Sequence, residues 1–143
     1  MNQNLSISDN KNVSKWYIID AQNKILGRLS AKISKILQGK HKISYSPQEN
    51  DGDFIIVINA EKVQVLGKKK YTKIYLRHSG RPGKMKRETF IELQNRIPSR
   101  IIEKSVAGML PKNSLGRQMF KRLRVYSGVS HPHKAQIPEE LNI

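Results

Sequence analysis

Five consecutive apolar residues, Phe54-Ile55-Ile56-Val57-Ile58, constrain this chain more than any other stretch. A run without alternation cannot lie on a sheet that has one wet face. It needs cover on both sides, as a central strand of a parallel sheet has. Ile56, in its middle, is therefore expected to be fully buried between helical layers. Trp16-Tyr17-Ile18-Ile19-Asp20, aromatic and β-branched, reads as a second buried strand. Between the two lies a helical pattern. Leu26, Leu29, Ile33, Ile36 and Leu37 share one face, Arg28, Lys32 and Lys35 lie opposite, and Gly39 offers a C-terminal stop.

The remainder is less strongly patterned. Residues 1–14 are polar and aperiodic and read as a flexible extension; residues 15–143 read as a single domain. Asn23 suggests a turn or cap, residues 59–62 a polar or short helical turn, and Val63-Gln64-Val65-Leu66 a further strand. Lys73-Ile74-Tyr75-Leu76 reads as a short edge strand, and residues 78–87, with two glycines and a proline, as an exposed loop. Residues 88–95 and 99–110 carry helical periodicity on either side of Pro98, the second with Ile101, Ile102, Val106 and Met109 on its apolar face. From Ser114, a candidate N-cap, a last helix is expected to run past Leu123. Leu115, Met119, Phe120 and Leu123 would face inward, and Arg117, Lys121 and Arg124 outward. Residues 125–128 would form a short strand, and the tail beyond Gly128 would lie extended on the surface.

Charge bears most directly on function. Lys+Arg 27 against Asp+Glu 11 gives a net charge of +16, well beyond the roughly +2 to +8 that solubility asks of a small domain. Such an excess points to a polyanion, with nucleic acid ahead of an anionic membrane surface. No stretch approaches the ~18 apolar residues of a membrane span, and the N-terminus has neither a signal-peptide core nor a transit-peptide pattern. There is no cysteine, so disulfides and thiolate metal sites are excluded.

The cations recur on two helix faces and in three loops. The candidate RNA-binding set is Arg28, Lys32, Lys35, Lys40, His41, Lys42, Lys68, Lys69, Lys70, Arg77, His78, Arg81, Lys84, Lys86, Arg87, Lys112, Arg117, Lys121, Arg122 and Arg124. Dispersal over several elements suits a folded, irregular RNA better than one groove of a duplex. No zinc-finger spacing, basic zipper or RNP-type aromatic string is present.

Competing chemistries find little support. Gly67-Lys68-Lys69-Lys70 lacks the first glycine and the helix of a nucleotide-binding loop. Gly80-Arg81-Pro82-Gly83 is no dinucleotide fingerprint. His131 and His133 are too few ligands for zinc. Asp20, Asp51, Asp53 and Glu61 would have to converge to make a metal-dependent nuclease; carboxylates at strand ends are more often caps and turn formers. A soluble mRNA-binding regulator is the other alternative.

Several motifs, in order, resemble the bacterial-type large-subunit ribosomal protein L-thirteen family. They are Trp16 to Ala21 (WYIIDA), Leu26-Gly27-Arg28-Leu29, Gly39-Lys40-His41-Lys42 and Gly52 to Ala60. Most specific is Gly108-Met109-Leu110-Pro111-Lys112, followed by Leu115-Gly116-Arg117 and Val125-Tyr126. The resemblance implies a three-layer α/β/α domain around a four-stranded parallel sheet of order 3-2-1-4. It also implies a structural constituent of the large ribosomal subunit that binds large-subunit ribosomal RNA, touches neighbouring large-subunit ribosomal proteins and supports assembly. No enzymatic activity, cofactor, metal, small-molecule substrate or membrane contact is implied. The richness in Lys, Ile and Asn, encoded by AT-rich codons, favours an organelle-encoded plastid ribosome over a bacterial cytoplasm.

Overall fold

Two neighbouring parallel strands need a connection that carries the chain back to its starting end, usually through a helix. In the computed structural model, which describes residues 14–142, the helical pattern between the two apolar runs does this. Strand β1 (Trp16–Asp20) leads into helix α1 (Leu26–Leu37), and a long loop returns to β2 (Phe54–Ile58). The two strands pair in parallel from Trp16↔Phe54 to Asp20↔Ile58. A four-residue helix, α2 (Lys69–Thr72), precedes an antiparallel hairpin of β3 (Ile74–His78) and β4 (Met85–Thr89). Helices α3 (Phe90–Arg96), α4 (Ser99–Met109) and α5 (Ser114–Phe120) bring the chain to β5 (Leu123–Val125), and β6 (Glu139–Glu140) lies near its end.

The main sheet has the order β5-β2-β1-β6, with every pair parallel. Numbered among themselves, its strands run 3-2-1-4, as the resemblance implied; the hairpin is a separate two-stranded sheet. Helices lie on both sides of the main sheet, so the class is α/β. Its two faces are unequal. Ile19, Ile55, Val57 and Leu123 share one face and join Leu29, Ile33 and Leu37 of α1 and Ile101, Ile102 and Val106 of α4 in the main core. On the other face Ile56 is 0% exposed, as its place in the apolar run predicts. Around it Ile18 and Ile58 are only half-buried. There Trp16 stacks on Phe54 with ring centroids 4.4 Å apart, and His133 from the C-terminal segment tilts over Trp16 at 5.5 Å.

Local chemistry explains several boundaries. Thr89 and Glu92 close a reciprocal capping box at the start of α3. Gly52 is required by crowding, since a Cβ there would sit 1.8 Å from the Leu37 carbonyl oxygen. This is where the loop after α1 comes back beneath the helix end. Asn59 takes a left-handed conformation at the end of β2, and its side-chain amide donates to the Asp20 carboxylate at 2.9 Å. The 3-10 turn Ala60–Lys62 that follows matches the short helical turn anticipated there.

Several expectations need correction. Val63–Leu66 is not a strand: Gln64 makes a single bridge to Ile25, and the partner chain enters α1 at Leu26, so no ladder can grow. Residues 85–87 belong to β4 rather than to a loop, because cross-strand pairing with β3 orders them without burying them. The last helix stops at Phe120 instead of passing Leu123, and its N-cap is Asn113, whose side chain accepts from the Gly116 N–H at 2.8 Å, rather than Ser114. Consequently Leu123 and Arg124 lie on β5, and the strand placed at 125–128 ends at Val125. Finally, the tail contributes β6, paired with Tyr17 and Ile18. The proposed extension at residues 1–14 falls, apart from Ser14, outside the described residues. Among those described, no helix is long and apolar enough to cross a membrane.

Candidate nucleic-acid interface

Helix α1 divides its residues as the spacing predicts. Leu29, Ile33 and Leu37 are at most 1% exposed, whereas Arg28, Lys32 and Lys35 face solvent. Its first turn has no acidic residue, and an open cleft of about 530 Å³ bordered by Asn23, Ile25, Arg28 and Lys32 runs beside this face. Nothing among the described residues gives these three cations a carboxylate partner.

The loop after α1 behaves differently. Lys40 is exposed, but Lys42 turns inward and donates to the Asp53 carboxylate at 2.6 Å and to the Asp51 carbonyl at 2.9 Å. His41 places Nε2 2.8 Å from the other Asp53 oxygen. Asp53, with no exposed surface, also accepts from the Lys15 backbone N–H at 3.0 Å. From the far side Arg122 donates to the backbone carbonyls of Gly52 and Asn50, the latter at 2.8 Å, and lies 5.3 Å from the Phe54 ring centroid. Burial pulls the guanidinium pKa down, opposed by the charges of Asp53 and Asp51. It remains a cation at neutral pH. Three members of the candidate set, His41, Lys42 and Arg122, thus have their polar ends engaged within the fold.

Lys68 at the entry to α2 is exposed, as are Lys69 and Lys70 within it. So are Arg77, His78, Arg81, Lys84, Lys86 and Arg87 on the hairpin and its turn. Arg77 and Lys86 are direct cross-strand partners, a like-charge pairing that favours a nearby anion. The acid of the hairpin, Glu88, bonds Arg96 at 2.7 and 2.8 Å, and that hydrogen bond holds its carboxyl below the usual carboxylate range. Lys112, Arg117 and Lys121 rim one groove of about 460 Å³ between the end of α4 and α5, floored by Leu110, Pro111 and Phe120. Arg124 projects from β5 between inward-facing Leu123 and Val125. The expected helical ridge of Arg117, Lys121 and Arg124 does not exist as one face, because the helix ends before Lys121.

Two cations outside the candidate set also matter. Lys73 and Lys104 lie 5.4 and 5.3 Å from the Tyr75 ring centroid. Lys73 opens the apolar segment that contains Tyr75, a faint sequence signal; Lys104 approaches only through packing.

The alternative sites take structural roles. Asp20 accepts from the Gln22 backbone N–H at 2.9 Å, a local turn, and from Asn59. Asp53 is enclosed by Lys42, His41 and the Lys15 backbone. His133 Nε2 lies 2.8 Å from the Tyr126 hydroxyl. No three acidic or histidine side chains converge on a metal-sized site among the described residues.

The class the fold and surface define is a small, strongly basic α/β domain with a parallel sheet and separate exposed cationic faces. Residues 14–132 match the family model described as Ribosomal protein L13. The chain is 64% identical over 129 residues to the large ribosomal subunit protein uL13 of Acaryochloris marina, covering 90% of this chain and 85% of that one. It is 61% identical over 129 residues to the protein of the same name from Crocosphaera subtropica, with the same coverage. The Thermosynechococcus vestitus counterpart is 62% identical over 129 residues, again covering 90% and 85%. The chain belongs to the ribosomal protein L13 family, whose members are structural, non-enzymatic components of the ribosome.

Proposed function

We propose that this protein is a structural constituent of the large ribosomal subunit that binds its RNA through several separate basic surfaces and supports subunit assembly. The observation that carries the reading is the exposed cationic face of α1, repeated in character on the hairpin and around the α4–α5 groove. Contacts spread over elements far apart in sequence would hold several RNA segments in a fixed relation, as an assembly role requires. Residues from Lys15 onward act as one domain, and neighbouring large-subunit proteins complete its surroundings. The richness in Lys, Ile and Asn supports a plastid ribosome as its setting.

Changing Arg28, Lys32 and Lys35 together to Gln tests the RNA-binding part, since Gln keeps most of the helix propensity. If each contacts one phosphate, the slope of log K against log salt for large-subunit RNA falls by about 2 units. The reading fails if that slope is unchanged, or if the wild-type protein sediments free of large subunits at moderate salt.

A further inference from the structure

We propose that the outer face of the β3–β4 hairpin is an RNA-docking surface of a second kind: Ile74, Leu76 and Met85 rest on sugar and base surfaces while the cations around them take phosphates. This rests on the RNA-binding reading above and specifies how one of its surfaces works.

Register assigns the faces. Cross-strand partners point the same way, so Ile74/Thr89, Leu76/Arg87 and His78/Met85 share one face, and Tyr75/Glu88 and Arg77/Lys86 share the other. The second face anchors the ribbon: Tyr75 is 9% exposed and belongs to the main core. The first face contributes nothing to the main core. Ile74, Leu76 and Met85 are 56%, 55% and 51% exposed, and five of the ten large hydrophobic residues exposed among the described residues fall between Leu66 and Met85. A soluble surface scatters such residues singly; three of these five sit together on one face of one ribbon, which marks a contact site.

Charge identifies the occupant. From Leu66 to Arg87 there is no Asp or Glu but nine Lys or Arg. A protein partner would have to supply a matching excess of carboxylates around an apolar centre. Nucleic acid has that layout throughout, with anionic phosphates at the margins and sugar and base surfaces between them. The wide, shallow minor groove of an RNA helix exposes both to a two-stranded ribbon.

The test is Leu76→Ser with Met85→Ser, assayed by filter binding to transcribed large-subunit RNA over a range of salt. Because these side chains are half exposed and lie outside the core, the melting temperature should stay close to wild type. Affinity should fall by about tenfold, roughly 1.4 kcal/mol, with the salt slope unchanged, because no phosphate contact is removed. Arg87→Gln, on the same face as Leu76, should instead lower the slope. Unchanged affinity for RNA overturns the proposal, and so does normal RNA affinity with loss of the variant from assembled subunits, which would place a protein on this face. A lowered melting temperature would also overturn it, by showing that the face is packed. Failure of wild type to bind large-subunit RNA would undo the RNA-binding reading itself, and it is read in a separate arm.

Discussion

Arg122→Met distinguishes a fold-holding arginine from an RNA-holding one. Methionine preserves most of the side-chain length and its apolar contact with Phe54 while removing the guanidinium. The lost interactions are charged hydrogen bonds to the carbonyls of Gly52 and Asn50, a longer one of 3.4 Å to the Ser14 hydroxyl, and the cation over the Phe54 ring. A hydrogen bond from a charged donor contributes roughly 1.5–3 kcal/mol, and the cation–π contact ~0.5–1 kcal/mol at a partly exposed site. The guanidinium is only half-buried, so water can replace part of this. A net loss of about 2–4 kcal/mol follows. For a chain of this length the melting temperature should drop by about 5–12 °C, followed by far-UV circular dichroism. Measured below the variant's melting transition, the salt slope of RNA binding should not change. Arg124→Met should do the opposite: exposed on β5, it should leave stability within ~0.5 kcal/mol and lower the slope by just under one unit per phosphate contact. An Arg122→Met protein that melts with wild type but has a lowered slope would refute this assignment and make Arg122 an RNA contact.

Gly52→Ala places a Cβ 1.8 Å from the Leu37 carbonyl oxygen, where only backbone movement gives relief. It should cost about 3 kcal/mol or more; a urea midpoint equal to wild type would show that the loop and α1 are not in contact. Tyr75 gives a pH dependence, because burial raises its phenol pKa above 10.0. The folded state then holds that proton more tightly than the unfolded chain, so this stability is complete below the ordinary tyrosine pKa and is lost as pH rises through the folded value. Tyr75→Phe, which also removes a buried hydroxyl with no hydrogen-bond partner in the protein, should match or slightly exceed wild-type stability at pH 7. Above about pH 10 it should keep stability that wild type loses; parallel alkaline losses in both proteins would contradict it.

The parallel pair at the centre of the sheet and the amphipathic α1 were legible in the sequence because apolar spacing alone determines them. Phe54–Ile58 cannot be half-wet, and Leu29, Ile33 and Leu37 can meet only on one side of a helix. What depended on contacts between distant residues was not legible. Glu139–Glu140 carries no strand pattern, and it is a strand only because β1 offers it backbone partners. Arg124 kept helical spacing with Arg117, yet pairing of Leu123 and Val125 with β2 draws that segment out of the helix. The same holds within the candidate interface. Net charge and spacing located the cations, and the exposure of Arg28, Lys32 and Lys35 followed from the helix itself. A lysine facing solvent and one facing a buried carboxylate look alike in one dimension. Only the fold brought Asp53 beneath Lys42 and His41, and the Gly52 carbonyl against Arg122. Periodicity reports what a residue shares with its neighbours in the chain, whereas a charge takes its role from whatever chain-distant partner packing places within about 3 Å of it.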